Sequence, residues 1–237
     1  MVIQNARQFY AEALIDASGS NGDPEKRGEG MQYELKAVLF DFGGVIAEEG
    51  FWEGIQSIGQ EHGLDPDAFF RMVDALIYET GYLIGKVDEA SFWNEVRKNT
   101  GIRCTDAELR TEILKRFVLR PDMIASVDLL RSTGLIIAML SDQTNWLEEI
   151  DLDTGLFRHF DRVFNSYRTH KSKRDASVFR EVCTELGVKT EETLFIDDNI
   201  DYIGRARELG LQTIHFSGIA EYKRQIEKFR STGMLTK

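Results

Sequence analysis

At 237 residues the chain is long enough for one α/β domain with a smaller appended module, and it can bury a core without disulfides or a structural metal. Its 42% hydrophobic and 29% charged residues form an ordinary globular mixture, and no apolar run approaches the ~20 residues that a membrane-spanning helix needs, so no membrane segment is expected. A formal net charge of −11 opposes binding to nucleic acid, whose affinity rests on Lys and Arg neutralising phosphates, and a small phosphorylated compound would need a local cation.

Residues 1–17 hold a short helical pattern through Phe9, Leu14 and Ile15, and residues 18–30 are Gly, Ser and charge with nothing apolar to bury. Residues 1–30 therefore read as a flexible N-terminal extension. From Lys36 an apolar run, AVLF, ends in Asp41-Phe42-Gly43-Gly44-Val45, the pattern of a buried parallel strand feeding a functional loop. Between about residues 50 and 118 there are several helical patterns, DPDAFFRMVDALIYE and DEASFWNEVRKNTG among them, and no convincing strand. A helix over MIASVDLLRSTG then leads to a second apolar run, Leu135 to Leu140, which ends at Ser141-Asp142. Further strands are expected over Asp161 to Ser166, Thr193 to Asp198 and Gln212 to Phe216, with a helix from Ser177 to Leu186 and another ending near Gly210.

Strands alternating with helices imply a doubly wound parallel α/β sheet with the polar strand ends gathered on one edge. The expected organisation is a core of residues 31–49 and 119–237 with a helical cap, residues 50–118, inserted after the first strand and lying over the crevice where ligands bind. Cys104 and Cys183 are the only cysteines and form no CxxC, which argues against a disulfide framework or a zinc site. The chain opens without a basic n-region or apolar h-region, and a cytoplasmic location is expected.

Asp197 and Asp198 are adjacent carboxylates at a strand end. Each raises the other's pKa in a partly buried crevice, and a hard cation with oxygen ligands relieves the cost. Each of Asp41, Ser141, Lys173 and this pair, taken alone, has an ordinary explanation as a turn, cap or solvated residue. Together, in this order at or beyond strand ends, they resemble the four motifs of the haloacid dehalogenase superfamily, in its helical-cap branch, over about residues 34 to 216.

The resemblance implies a Rossmann-like core and a Mg²⁺-dependent phosphatase of small phosphorylated metabolites. Asp41 would be the nucleophile that forms an aspartyl-phosphate. Asp41, Asp197, Asp198 and the backbone carbonyl of Gly43 would hold Mg²⁺. Ser141, with the backbone around Asp142 and Gly44, would bind the phosphoryl oxygens, and Lys173 would balance the charge, with Lys171 as a competing candidate.

One position departs from the family pattern. Its phosphatases usually carry a second Asp two residues after the nucleophile as general acid and base, and here that position is Gly43. Turnover is then expected to depend steeply on the leaving group, unless another residue, such as Glu48 or Glu49, supplies the proton. Two other readings stay open. One is a metal-independent dehalogenase, which also lacks the second Asp, and the other is a catalytically silent member that binds a ligand or partner.

Overall fold

The computed structural model describes residues 34–232, so the expected N-terminal extension lies outside the described residues. The first strand, β1 (Ala37–Phe40), is completely buried and lies at the middle of a five-stranded sheet. Its neighbours are β2 (Ile136–Ser141) and β4 (Thr193–Asp197), flanked in turn by β3 (Arg162–Asn165) and β5 (Gln212–His215), and all four pairings are parallel. Phe40 pairs with Met139 on one side and Ile196 on the other, so the three central strands end within two residues of one another at one edge.

The two-residue period of the strands divides the core in two. Val38, Phe40, Ile137, Met139, Leu194 and Ile196 face one apolar cluster, whereas Leu39, Ala138, Leu140 and Phe195 face the other. Burial on both faces explains why these strands read as unbroken apolar runs. They are not alternating patterns.

Four helices follow β1: α1 (Gly50–Glu61), α2 (Pro66–Glu79), α3 (Glu89–Thr100) and α4 (Asp106–Leu114). Their starts are legible in capping chemistry. Asp65 accepts from the Ala68 N–H at 2.7 Å ahead of Pro66, and Thr105 and Glu108 form a reciprocal capping box. The apolar faces of these helices and the turns beside them join the cluster on the Val38 and Phe40 side of the sheet, through Phe42–Phe117 at 5.3 Å, Tyr82–Trp146 at 5.7 Å and Trp93–Trp146 at 6.0 Å between ring centroids.

The rest of the chain returns to the sheet through α5 (Pro121–Ser132), α6 (Trp146–Thr154), a single helical turn α7 (Ser166–Thr169), α8 (Ser177–Leu186), α9 (Ile200–Glu208) and α10 (Ile219–Thr232). Observed strand ends differ from the expected ones by a residue or so, as at β2, where Gly134 at φ 89 sets the turn before Ile136. Helices α6 and α10, as well as the single turn α7, were not anticipated. The first opens directly from the polar loop after β2, and the second attaches mainly by Ile219, Tyr222 and Ile226.

Candidate active site

Asp41, Ser141 and Asp197 leave the carboxyl ends of three adjacent strands, which brings residues 156 positions apart in sequence to one edge. The backbone continues the ladder for one more step, with the Asp41 N–H donating to Ile196 O at 2.9 Å. The chain then curls. Phe42 O accepts the N–H groups of Val45, Ile46 and Ala47 at 3.3, 2.8 and 2.9 Å, and Gly44 supplies the φ of 75 that this turn requires. A Cβ at Gly44 would lie 2.0 Å from Asp198 Oδ2, so the absence of a side chain is what lets the Asp198 carboxylate pack against the loop.

Lys173 is the hub of the site. Its side chain is 1% exposed, and its ammonium donates to Asp197 Oδ2 at 2.6 Å and lies 2.8 Å from Asp41 Oδ1. Burial works against the charged ammonium, but Asp197, Asp41 and Asp142 together hold its pKa well above the usual lysine value. Lys171 lies elsewhere, 2.5 Å from Glu181 and 3.8 Å from Asp175.

The carboxylates have distinct environments. Asp41 Oδ1 accepts from the Phe42 N–H at 2.7 Å as well as from Lys173, and Oδ2 receives no hydrogen bond among the described residues. Burial pushes the Asp41 pKa up; Lys173 opposes this, and Asp197 and Asp198 add to it. Asp197 is fully committed, with Oδ1 accepting from the Asn199 N–H at 2.7 Å and Oδ2 from Lys173. Asp198 forms no ion pair among the described residues, and its pKa is raised by burial and then by Asp197. Asp142 accepts from the Lys173 N–H at 2.8 Å and from the Tyr202 hydroxyl at 3.2 Å, so its side chain anchors the lysine loop. Ser141 is buried at the last position of β2, paired in register with Asn165.

Oxygens of Asp41, Asp197 and Asp198 come within 4.8 Å of one another, and the Lys173 ammonium lies against Asp41 and Asp197. Three carboxylates against one buried cation leave excess negative charge. An all-oxygen donor set of this kind fits a hard divalent cation such as Mg²⁺.

The sequence-based reading did not place Tyr202 or Asn199 at the site, nor the exact seat of Glu49. Glu49 is the N-cap of α1, where Oε1 accepts from the Trp52 N–H at 3.4 Å, while Oε2 would stand 2.9 Å from a Cβ at Gly43. Burial, and then the charge of Asp198, push its pKa up to about 7. Its neighbour Glu48 is held in a two-pronged pair with Arg120 at 3.0 and 2.7 Å, and its pKa is lowered by that hydrogen bonding.

The helical segment reaches the same edge. Ser166 Oγ donates to Leu83 O at 2.9 Å, the His170 ring nitrogen lies 2.9 Å from Ile84 O, and the Arg174 guanidinium stacks 3.2 Å from the centre of the Tyr78 ring. Gly85 permits this docking, since a Cβ there would be 2.5 Å from Tyr167 O.

Comparison with known proteins bears on the family and the fold. The GMP/IMP nucleotidase YrfG of Escherichia coli (strain K12) is 24% identical over 204 residues, which span 81% of this chain and 89% of that protein. Among solved structures, the HAD family enzyme bt-2542 of Bacteroides thetaiotaomicron superposes with a TM-score of 0.65 at 21% identity, covering 76% of this chain and 93% of its own. That enzyme has also been solved in complex with magnesium and inorganic phosphate. The L-2-haloacid dehalogenase of Xanthobacter autotrophicus superposes with a TM-score of 0.57 at 18% identity, covering 86% of this chain and 85% of its own. A family model described as haloacid dehalogenase-like hydrolase matches residues 35–210. With that match spanning most of its length, this chain belongs to the haloacid dehalogenase-like hydrolases.

Proposed function

We propose that the chain is a Mg²⁺-dependent phosphatase of small phosphorylated metabolites that works through an aspartyl-phosphate at Asp41. The observation that carries this reading is the crowding of Asp41, Asp197 and Asp198 around one lysine, which leaves an anionic oxygen cradle suited to a divalent cation and a phosphate ester. The nucleotidase relative points the same way and puts nucleoside monophosphates first among the esters to test.

In the first step Asp41 Oδ2, which has no protein donor, bonds to phosphorus as the ester oxygen leaves. Lys173 favours the ionised form of Asp41 against the effect of burial, and by holding Oδ1 it turns Oδ2 toward the substrate. Ser141 and the amides of the loops around Gly44 and Asp142 hold the phosphoryl oxygens. Asp198, with Asp41 and Asp197, would hold Mg²⁺, which when bound offsets the charge that the ester and the carboxylates bring together. Water then attacks the aspartyl-phosphate and restores Asp41. Residues 50–118 act as the cap over this edge and 31–49 with 119–237 as the core. The docking of Leu83, Ile84 and Tyr78 onto residues 166–174 supports this role for the cap. The two free thiols, Cys104 and Cys183, suit the cytoplasm.

A haloacid dehalogenase is the competing reading, on the strength of the structural resemblance to such enzymes. It attacks carbon and has no use for a crowded carboxylate set. The test is phosphate release from an aryl phosphate and from GMP with Mg²⁺ and with EDTA, and halide release from 2-chloropropionate. Phosphate release that needs Mg²⁺ and disappears in Asp41→Asn supports the phosphatase. Halide release indifferent to EDTA overturns it.

A further inference from the structure

A loose phosphoryl-transfer transition state leaves negative charge on the departing oxygen, which must be met by a proton when the leaving group is a poor one. The site holds six carboxyl groups near its centre, and five are already engaged or assigned. Asp41 is the nucleophile. Both oxygens of Asp197 are taken by Lys173 and the Asn199 N–H, both of Asp142 by the Lys173 N–H and Tyr202, and both of Glu48 by Arg120. Asp198, free of ion pairs and packed against Gly44, belongs to the cation cradle.

Glu49 remains. No ion pair engages it among the described residues, and one of its oxygens is fixed by the start of α1 while the other is directed at the bare face of Gly43, two residues from the nucleophile. Gly43 does not lie in the left-handed region of φ, so backbone conformation does not demand a glycine there. What a side chain at position 43 would meet is the Glu49 carboxylate, at 2.9 Å, and then the Phe117 ring, at 3.6 Å. The glycine therefore makes room for a carboxyl group that arrives from α1.

Resting on the phosphatase reading above, we propose that Glu49 is a catalytic acid and base of this enzyme, delivered from the first turn of α1 into the space left by Gly43. As Asp41 bonds to phosphorus and the ester P–O bond breaks, the Glu49 carboxylic acid gives its proton to the departing oxygen, releasing an alcohol. In the second step the Glu49 carboxylate takes a proton from water as the water oxygen bonds to phosphorus and the bond from phosphorus to Asp41 breaks, which restores both groups and releases phosphate.

The test compares wild type, Glu49→Gln, Glu49→Ala and the double variant Glu49→Ala with Gly43→Asp, in Mg²⁺, on 4-nitrophenyl phosphate and on glycerol 2-phosphate. Glutamine retains the acceptor for the Trp52 N–H, and melting temperatures check that each variant folds. The expected result for Glu49→Gln is a loss of about 10²–10⁴-fold in kcat/KM on the alkyl ester and a much smaller loss on the aryl ester. The aryl ester should also give a stoichiometric burst of nitrophenol, because the phospho-enzyme then lacks its base. The double variant, with a carboxylate moved to position 43 and the obstructing side chain removed, should recover at least tenfold on the alkyl ester relative to Glu49→Ala. A folded Glu49→Gln enzyme with wild-type rates on both esters and no burst overturns the role of Glu49 while leaving the phosphatase reading intact. A wild type that releases no phosphate from either ester overturns both.

Discussion

The hydroxyl groups of Tyr78 and Tyr202 lie 3.2 Å apart, one on α2 of the helical segment and the other on α9 of the sheet domain. Tyr202 also donates to Asp142, which in turn receives the Lys173 N–H, so three hydrogen bonds run from the helical segment to the lysine at the centre of the site. Tyr202→Phe removes a donor from a largely buried carboxylate. It is expected to cost about 1–3 kcal/mol of stability, because Asp142 is left short of a partner. A melting temperature within one degree of wild type would contradict this, and Tyr78→Phe, which leaves the Tyr202–Asp142 bond in place, should cost less.

Lys173→Met leaves Asp41 and Asp197 buried without their cation, and breaking a buried pair in this way costs about 3–5 kcal/mol. The sign of the pH dependence follows from Asp41. Its folded pKa is already raised, chiefly by burial, and rises further without Lys173, so the folded variant holds a proton that the unfolded chain gives up. Stability of the variant should therefore fall as pH rises from the ordinary carboxylate range, and thermal unfolding at pH 5 and pH 8 should show a much larger loss at pH 8. Lys171→Met, which removes an exposed pair with Glu181, should match wild type at both values.

Asp198→Asn removes one negative charge from the crowded group. In EDTA the variant should melt higher than wild type at pH 8, since a raised pKa means that the folded state resists the ionised form. Added Mg²⁺ should raise the melting temperature of wild type and have little effect on the variant. Equal Mg²⁺ shifts in both proteins would remove Asp198 from the cradle.

Gly44→Ala and Gly187→Ala separate backbone strain from crowding. Both glycines have positive φ, 75 and 70, but a Cβ at Gly187 meets nothing within 4 Å, whereas one at Gly44 collides with Asp198. The Gly187 variant should lose about 1 kcal/mol with its kinetics unchanged, and the Gly44 variant should lose more and require a higher Mg²⁺ concentration for half-maximal activity. Identical Mg²⁺ requirements would show that Asp198 moves aside without consequence.

The strand-end residues were legible in the sequence because apolar runs long enough to cross a sheet stop at Asp41, Ser141 and Asp197, and parallel strands collect such stops on one edge. The order of motifs made the family recognisable, but not the seat of Glu49. That depends on the turn closed on Phe42 O, which folds the chain back so that a residue eight positions beyond Asp41 overlies Gly43. Asp142 posed a similar difficulty. Its second partner is Tyr202, sixty residues on in another helix, and no local pattern marks that pairing. The expected steep dependence on the leaving group followed from Gly43, with Glu48 or Glu49 named as the exception, and the proposed role of Glu49 takes up that exception.

The shared apolar cluster beneath α1 to α4 bears on how the molecule breathes. Phe117, Tyr82 and Trp93 interlock with Phe42 and Trp146, so swinging the four helices away as a rigid plate would bare several aromatic faces, each worth about 150–250 Å² of buried area. A hinge of that kind is too costly to open at every turnover. Admission of substrate and release of product then fall to small excursions at the rim, around Ile84 and Gly85 and the exposed residues 168–170, where the His170 ring nitrogen lies 2.9 Å from Ile84 O. Amide hydrogen exchange should accordingly be fastest at that rim, with α1 and β1 protected to similar depth as parts of one cooperative unit.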